Sequence, residues 1–516
     1  MDTKLMLGRG QEGSLGLDWS KLNRHGFICG ASGTGKTSSL RLLAEGLSAQ
    51  GIPVFLSDVK GDISGLAAPG VESESVRAQL QRCERGPEEQ NYRGYPCRFW
   101  DIYGEQGIAL RTSVSEFGPV LLAAVLELNE VQSSILDIAF RLADERKLLI
   151  VDLKDLAAIL RLMTEERQAL ERVYGHLSSA SIAAVLRAVL RLEAAGGETF
   201  FGEPAFAIED LFNQAPDGRG LIHILEARRL MAQPRIYMAF MLWFLSELFE
   251  TLPECGDQPR PKLVFFLDEA HLLFSQLSGE LLSRLGQIVR LVRSKGLGLF
   301  FVTQHPADIA PEILAQLGNK IQHGLLAYTP AEQRRLQAVA QGLRPNPNFD
   351  TLEALASLGR GEALVSVLQE DGSPGLCQRL WIYPPESSFS PLDAAEQQRL
   401  IQSDPRYPYY AQRIDSKSAY ECLLEESELR AEEERRQAEE REQAALEQKE
   451  LKAQAREEER LRRDEERRRE REERAAARRR SSAQDLTSRV ARSAVNAFVS
   501  QLGRSIARGI FGSFKR

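Results

Sequence analysis

An apolar run passes without a break into a glycine-rich loop and then a helix in GFICGASGTGKTSSL, residues 26–40, and few features constrain a fold more. The loop fits G-x-x-x-x-G-K-T through Gly30, Gly35, Lys36 and Thr37. Its glycines let backbone N–H groups turn inward around phosphates, and the following helix adds its positive N-terminal end. Lys36 is of a length to reach the β- and γ-phosphates, and the Thr37 hydroxyl suits a Mg²⁺ shell. The expected ligands are therefore ATP and Mg²⁺, contacted by Gly30, Ala31, Ser32, Gly33, Thr34, Gly35, Lys36, Thr37 and Ser38.

Such a loop needs acids on a neighbouring strand, and KLVFFLDEAH supplies them. Asp268 is placed to hold Mg²⁺ and Glu269 to orient and deprotonate the attacking water, both at the carboxyl end of an apolar run. A further run ends in FVTQHP, which puts Gln304 at the same edge as a sensor of the γ-phosphate. DVKGD closes another apolar run; Asp58 and Asp62 either flank the nucleotide or order the loop. His271 reads as a packing residue, and His176, His223 and His323 show no ligand spacing.

HGFICG, IPVFLSD, CRFWDIY, GLIHILEA, KLVFFLDEA and GLGLFFVTQ are mostly continuous apolar runs. That is the pattern of parallel strands covered on both faces, here alternating with helices in an α/β core. The core is expected over 1–110 and 214–385, interrupted by a helical insertion over 111–213. A linker is expected over 386–422. A charged helix or weak coiled coil follows over 423–480, where Glu precedes Arg by four residues repeatedly, as in Glu432/Arg436 and Glu465/Arg469. The segment 481–516 reads as a basic amphipathic tail with a net charge of +5. The whole chain of 516 residues carries a net charge of −7, which gives no global nucleic-acid signature. Its six scattered cysteines suit reduced thiols, and the apolar helix around Met238 is too short to span a bilayer; a soluble, cytoplasmic protein is expected.

NRHGFICGASGTGKT, DVKGD, KLVFFLDEAHLLF, VRLVRSKGLGLFFVTQHPADI, LGNKIQHGL, RPNP and LGRGEALVS, taken in order, resemble the HerA/FtsK superfamily of P-loop ATPases, in particular its YjgR-like bacterial branch. The resemblance covers roughly 5–385. It implies a RecA-like P-loop NTPase core with a mostly parallel sheet, ATP hydrolysis, a homo-hexameric ring, and DNA as the substrate of a helicase or translocase. It also implies an arginine acting on the neighbouring subunit's nucleotide, with Arg293 the first choice, Arg290 the second and Arg360 a weaker third. Arg228, Arg229 and Lys320 are candidates for a basic channel. Two other readings stand beside the DNA motor. One is an ATP-dependent scaffold or switch reaching protein or anionic membrane through the charged C-terminal tail. The other, a small-molecule kinase, fits less well, because tandem acids with Gln304 suit attack by water.

Overall fold

In the computed structural model, which describes residues 4–256, 258–275 and 279–492, the apolar runs become the centre of one twelve-stranded sheet. Its strands are β1 (Lys4–Gly10), β2 (Gly13–Asp18), β3 (Gly26–Cys29), β4 (Val54–Asp58), β5 (Cys97–Asp101), β6 (Ile108–Ala109), β7 (Ile222–Glu226), β8 (Leu263–Leu267), β9 (Leu297–Thr303), β10 (Asn319–His323), β11 (Glu362–Ser366) and β12 (Gln378–Ile382). They lie in the order β2-β1-β12-β11-β10-β3-β9-β8-β4-β7-β5-β6. From β10 to β6 every neighbouring pair is parallel; from β10 back to β2 every pair is antiparallel.

Strands β3, β4, β8 and β9 are buried at every position, as unbroken apolar runs require. Helix Lys36–Ala49 and helix Pro234–Thr251 are among those that cover the sheet. Phe55 of β4 shows how: its ring lies 4.5 Å from Phe244 of the latter helix and 5.0 Å from Phe265 of β8. The apolar helix around Met238 is thus core, and among the described residues no single helix is long and apolar enough to cross a membrane. All six cysteines are free.

Strand β10, at the border of the antiparallel wing, is absent from the apolar reading for a physical reason. β10, Asn319–His323, buries polar side chains, and each answers to a backbone group. Asn319 Nδ2 donates to the carbonyls of Lys21 and His25 at 2.9 and 3.0 Å, and Gln322 Nε2 to that of His323 at 2.8 Å. Hydrogen bonding, rather than hydrophobicity, lets this strand lie inside.

Between β6 and β7 the chain builds helices Val114–Val125, Glu130–Arg146, Leu153–Glu165, Arg167–Tyr174 and Ser179–Leu192. Their apolar faces join the main core, where Phe200 packs edge-on against Trp243 at 5.9 Å. The stretch 386–422 is not the linker its composition suggests. Helices Ala394–Ser403 and Tyr407–Ala411 lie in it, and Ile401 and Tyr410 are buried in the core. Tyr410 donates from its hydroxyl to Asp210 at 2.8 Å and accepts from the Ala207 N–H at 3.1 Å. Buried Arg98 anchors the same segment through Asp404 at 2.8 Å.

The chain separates into two units, Met1–Leu424 and Glu425–Arg516. A single helix, Ala419–Arg492, starts in the first and makes up the described part of the second. Its start is fixed where Ser418 Oγ and the Tyr420 N–H both donate to Asp155, at 2.6 and 2.8 Å. Residues 425–481 are exposed, with ion pairs four apart such as Glu459–Arg463 at 2.7 Å. Of the expected basic tail, 493–516 lies outside the described residues.

Candidate nucleotide site

The parallel strands place their carboxyl ends on one edge, and the register fixes what meets there. Cys29 of β3 pairs with Thr303 of β9, Leu267 of β8 with Phe301 of β9, and Ser57 of β4 with Leu267. The glycine loop after β3, Gln304 after β9, Asp268 and Glu269 after β8, and the 58–62 loop at the end of β4 therefore line a continuous stretch of one edge.

The loop packs closely on β10 behind it. A Cβ on Gly30 would fall 2.6 Å from His323 Cβ, and Gly35 has φ 125° with His323 Cε1 3.1 Å from its Cβ position. Either side chain would strain the turn, so glycine is required. Thr34 Oγ1 donates to the Ala31 carbonyl at 2.7 Å, and the Ala31 N–H to the Gly324 carbonyl at 2.9 Å. The helix Lys36–Ala49 opens at Gly35 with no side-chain cap, so no capping side chain competes with an anion for its first N–H groups. Lys36 is buried and folded back, donating to the Gly30 and Ala31 carbonyls at 2.6 and 3.1 Å. Burial and neighbouring Lys60 lower its pKa, against the pull of Glu269 and Asp268. Thr37 and Ser38 are half-buried at the helix start, and Ser32 and Gly33 are exposed at the loop tip.

Asp268 and Glu269 are both buried. Burial pushes Asp268 up to about 7, only partly offset by Lys60, and its N–H donates to Ser57 Oγ at 3.1 Å. A buried carboxylate of this kind gains from a cation, and the Thr37 hydroxyl with the Asp268 carboxylate is the hard-oxygen pair suited to Mg²⁺ completed by phosphates and water. Glu269 sits in the left-handed region at φ 47°, ψ 45°, an uncommon conformation for a glutamate that recurs at functional sites. Its Oε1 is paired with Lys60, and its Oε2 lies 3.2 Å from His271 Nδ1 without the alignment of a hydrogen bond.

Asp58 orders the loop that carries Lys60, accepting from the Gly61 and Ile63 N–H groups at 2.6 and 3.0 Å. The nearby Asp62 offers its main-chain carbonyl to Arg41. Gln304 is exposed one residue past the Cys29–Thr303 pair, level with the glycine loop. Arg293, in contrast, leads into the amino end of β9 and acts on the charge of His25 before β3. That is the sheet edge opposite Lys36. Arg290 is exposed on helix Gly279–Val292. Arg360 is exposed beside the chain's own loop, because the Gly361 N–H donates to the Thr34 carbonyl at 3.0 Å. The three channel candidates are engaged: Arg228 with Glu226, Arg229 with Glu105, and Lys320 with the Gly342 carbonyl.

Two residues at this edge escape the sequence reading. His323 supports the glycine loop: its Nδ1–H donates to the Glu362 carbonyl at 2.8 Å, so its Nε2 accepts from Ser39 Oγ at 2.8 Å. Burial lowers it to about 4, keeping it neutral. Lys60 is the other, and its place inside DVKGD between two acids was the available signal.

The chain is 34% identical over 106 residues to the probable DNA double-strand break repair helicase HerA of Methanocaldococcus jannaschii, covering 20% of each protein. It is 34% identical over 100 residues to the DNA double-strand break repair helicase HerA of Sulfurisphaera tokodaii, covering 19% of each. The match thus spans about a fifth of these curated relatives. Among solved structures, the unbound monoclinic form of the bacterial conjugative coupling protein TrwBdeltaN70 superposes with a TM-score of 0.52 at 15% identity, over 76% of this chain and 92% of that one. TrwB with the non-hydrolysable GTP analogue GDPNP gives 0.51 at 14% identity, over the same shares. These likenesses show a shared α/β fold. The model of the helicase HerA-like C-terminal family matches residues 3–516, and the chain belongs to that family.

Proposed function

We propose that the chain is an ATP-hydrolysing motor that works as a homo-hexameric ring on duplex DNA. The observation that carries this reading is the meeting of Lys36, Asp268 and Glu269 at one sheet edge, on a loop whose turns only glycines permit. The loop N–H groups and Lys36 bind the triphosphate, and Thr37 with Asp268 holds Mg²⁺. When bound, Mg²⁺ neutralises charge on the β- and γ-phosphate oxygens. Glu269 orients a water in line with the γ-phosphorus and accepts its proton. Gln304, beside the loop, contacts the γ-phosphate and reports its loss. Since Arg293 lies at the opposite edge from its own Lys36, its contribution is made to a neighbouring subunit's nucleotide. TrwB with GDPNP and the HerA helicases support nucleotide and DNA as ligands of relatives. Because Arg228, Arg229 and Lys320 are already engaged, DNA contact falls to other cations or requires these pairs to open.

The test is phosphate release by the purified protein with duplex DNA, single-stranded DNA, RNA or no nucleic acid, and with Glu269→Gln as control. Stimulation by duplex DNA that weakens steeply with salt supports the motor. Hydrolysis indifferent to nucleic acid, joined to vesicle or protein binding lost on truncation near Ser481, supports the scaffold reading. The exposed stretch 425–481 of helix Ala419–Arg492 is the observation in that reading's favour.

A further inference from the structure

Lys60 and Glu269 come from different strands, and they meet where the attacking water must be prepared. Glu269 Oε1 is already taken by the Lys60 ammonium. Its side chain is 5% exposed, whereas that of Lys60 is 45% exposed. The partners are thus unequal: a fixed buried carboxylate and a long cation with one side in solvent. The carboxylate is fixed by its own left-handed backbone as well as by the ion pair. The backbone under Lys60 is fixed by Asp58, which accepts from N–H groups on both sides of the turn. What remains free to move is the lysine side chain.

A second cation faces the same place. Lys36 is folded onto the carbonyls of its own loop, and it and Lys60 repel each other. Asp268 and Glu269 offset these two ammonium groups, and of the two it is Lys60 that has solvent on one side. A carboxylate oxygen held by an ammonium does not at the same time accept a proton from water along that direction.

We propose that Lys60 is a positioning residue that holds Glu269 away from the water while the nucleotide site is empty, and that it exchanges this carboxylate for the terminal phosphate of a bound nucleoside triphosphate. The inference rests on the ATPase reading above. A diphosphate lacks the group that draws Lys60 across, so the exchange distinguishes triphosphate from diphosphate and frees Glu269 only when there is something to hydrolyse.

The experiment measures binding of a fluorescent non-hydrolysable ATP analogue and of fluorescent ADP, with Mg²⁺, to the full chain. Loss of one charge-assisted contact in Lys60→Ala weakens the triphosphate analogue about tenfold and leaves ADP unchanged. Lys60→Arg keeps the charge and restores triphosphate affinity. Glu269→Gln removes the competing carboxylate, so it tightens the triphosphate analogue in the parent background and does not in the Lys60→Ala background. Equal weakening of both nucleotides by Lys60→Ala, or equal tightening by Glu269→Gln in both backgrounds, overturns the exchange while leaving the ATPase reading intact. A parent protein that binds neither nucleotide and releases no phosphate overturns the ATPase reading and this inference together.

Discussion

In the proposed function Glu269 is the base, and its environment makes a definite prediction. The side chain is buried at the end of β8 on a left-handed backbone, so an amide of the same shape occupies the space without acting as a base. Glu269→Gln is expected to retain ATP binding and to lose hydrolysis by about 10²–10⁴-fold, as read by phosphate release beside equilibrium binding. Glu45 makes a different claim. It is buried in helix Lys36–Ala49 and accepts from the Glu386 and Ser387 N–H groups at 2.8 and 3.0 Å, yet burial outweighs these bonds and raises it from 4.5 to about 7. The folded chain therefore keeps a proton that the unfolded chain releases. The associated stability is complete below pH 4.5 and is lost as pH rises to about 7, on the order of 3 kcal/mol. Denaturant midpoints across that interval show the loss, and Glu45→Gln flattens it. The glycine loop and paired acids were legible because each has a spacing that chemistry dictates. Lys60 and His323 were not, because their roles come from partners far away in sequence: Glu269 for one, Ser39 and Glu362 for the other.

At the scale of elements, burial on both faces made the central strands readable, while β10 hid behind Asn319 and Gln322, whose burial depends on hydrogen bonds no local pattern announces. The stretch 386–422 was misleading in the same way. Its prolines, serines and charges look like a linker, but Tyr410 closes a pocket between Trp100 and Phe206, at 5.5 and 6.4 Å. Tyr410→Ala is expected to cost about 3–5 kcal/mol, measured by chemical denaturation. By contrast, a chain ending after Leu424 keeps the thermal midpoint of the full protein, since Glu425 onward forms a separate unit. A fall of several degrees in that truncation would show that the charged helix contributes to the first unit's stability.

At the scale of the whole molecule, Arg293 lies at the sheet edge opposite Lys36, and the proposed ring would carry it to a neighbouring subunit's site. Arg293→Ala and Glu269→Gln proteins are each expected to be inactive alone. Mixed together, they regain hydrolysis at interfaces where one subunit supplies Glu269 and its neighbour Arg293. Absence of recovery in the mixture, with assembly verified by light scattering, would leave Arg293 a role inside its own chain.

The attachments of the glycine loop run mainly to one side. Ala31 is tied to Gly324, Thr34 to Gly361, and Gly30 and Gly35 rest on His323, all at or near β10 and β11. The acids and Lys60 hang from β8 and β4, beyond β9. In the proposed reaction a triphosphate would lie between these two groups of residues, with the loop braced on β10 and β11 at one end and the groups that follow β8 and β4 at the other. Loss of its terminal phosphate would then remove the contact that reaches the second group.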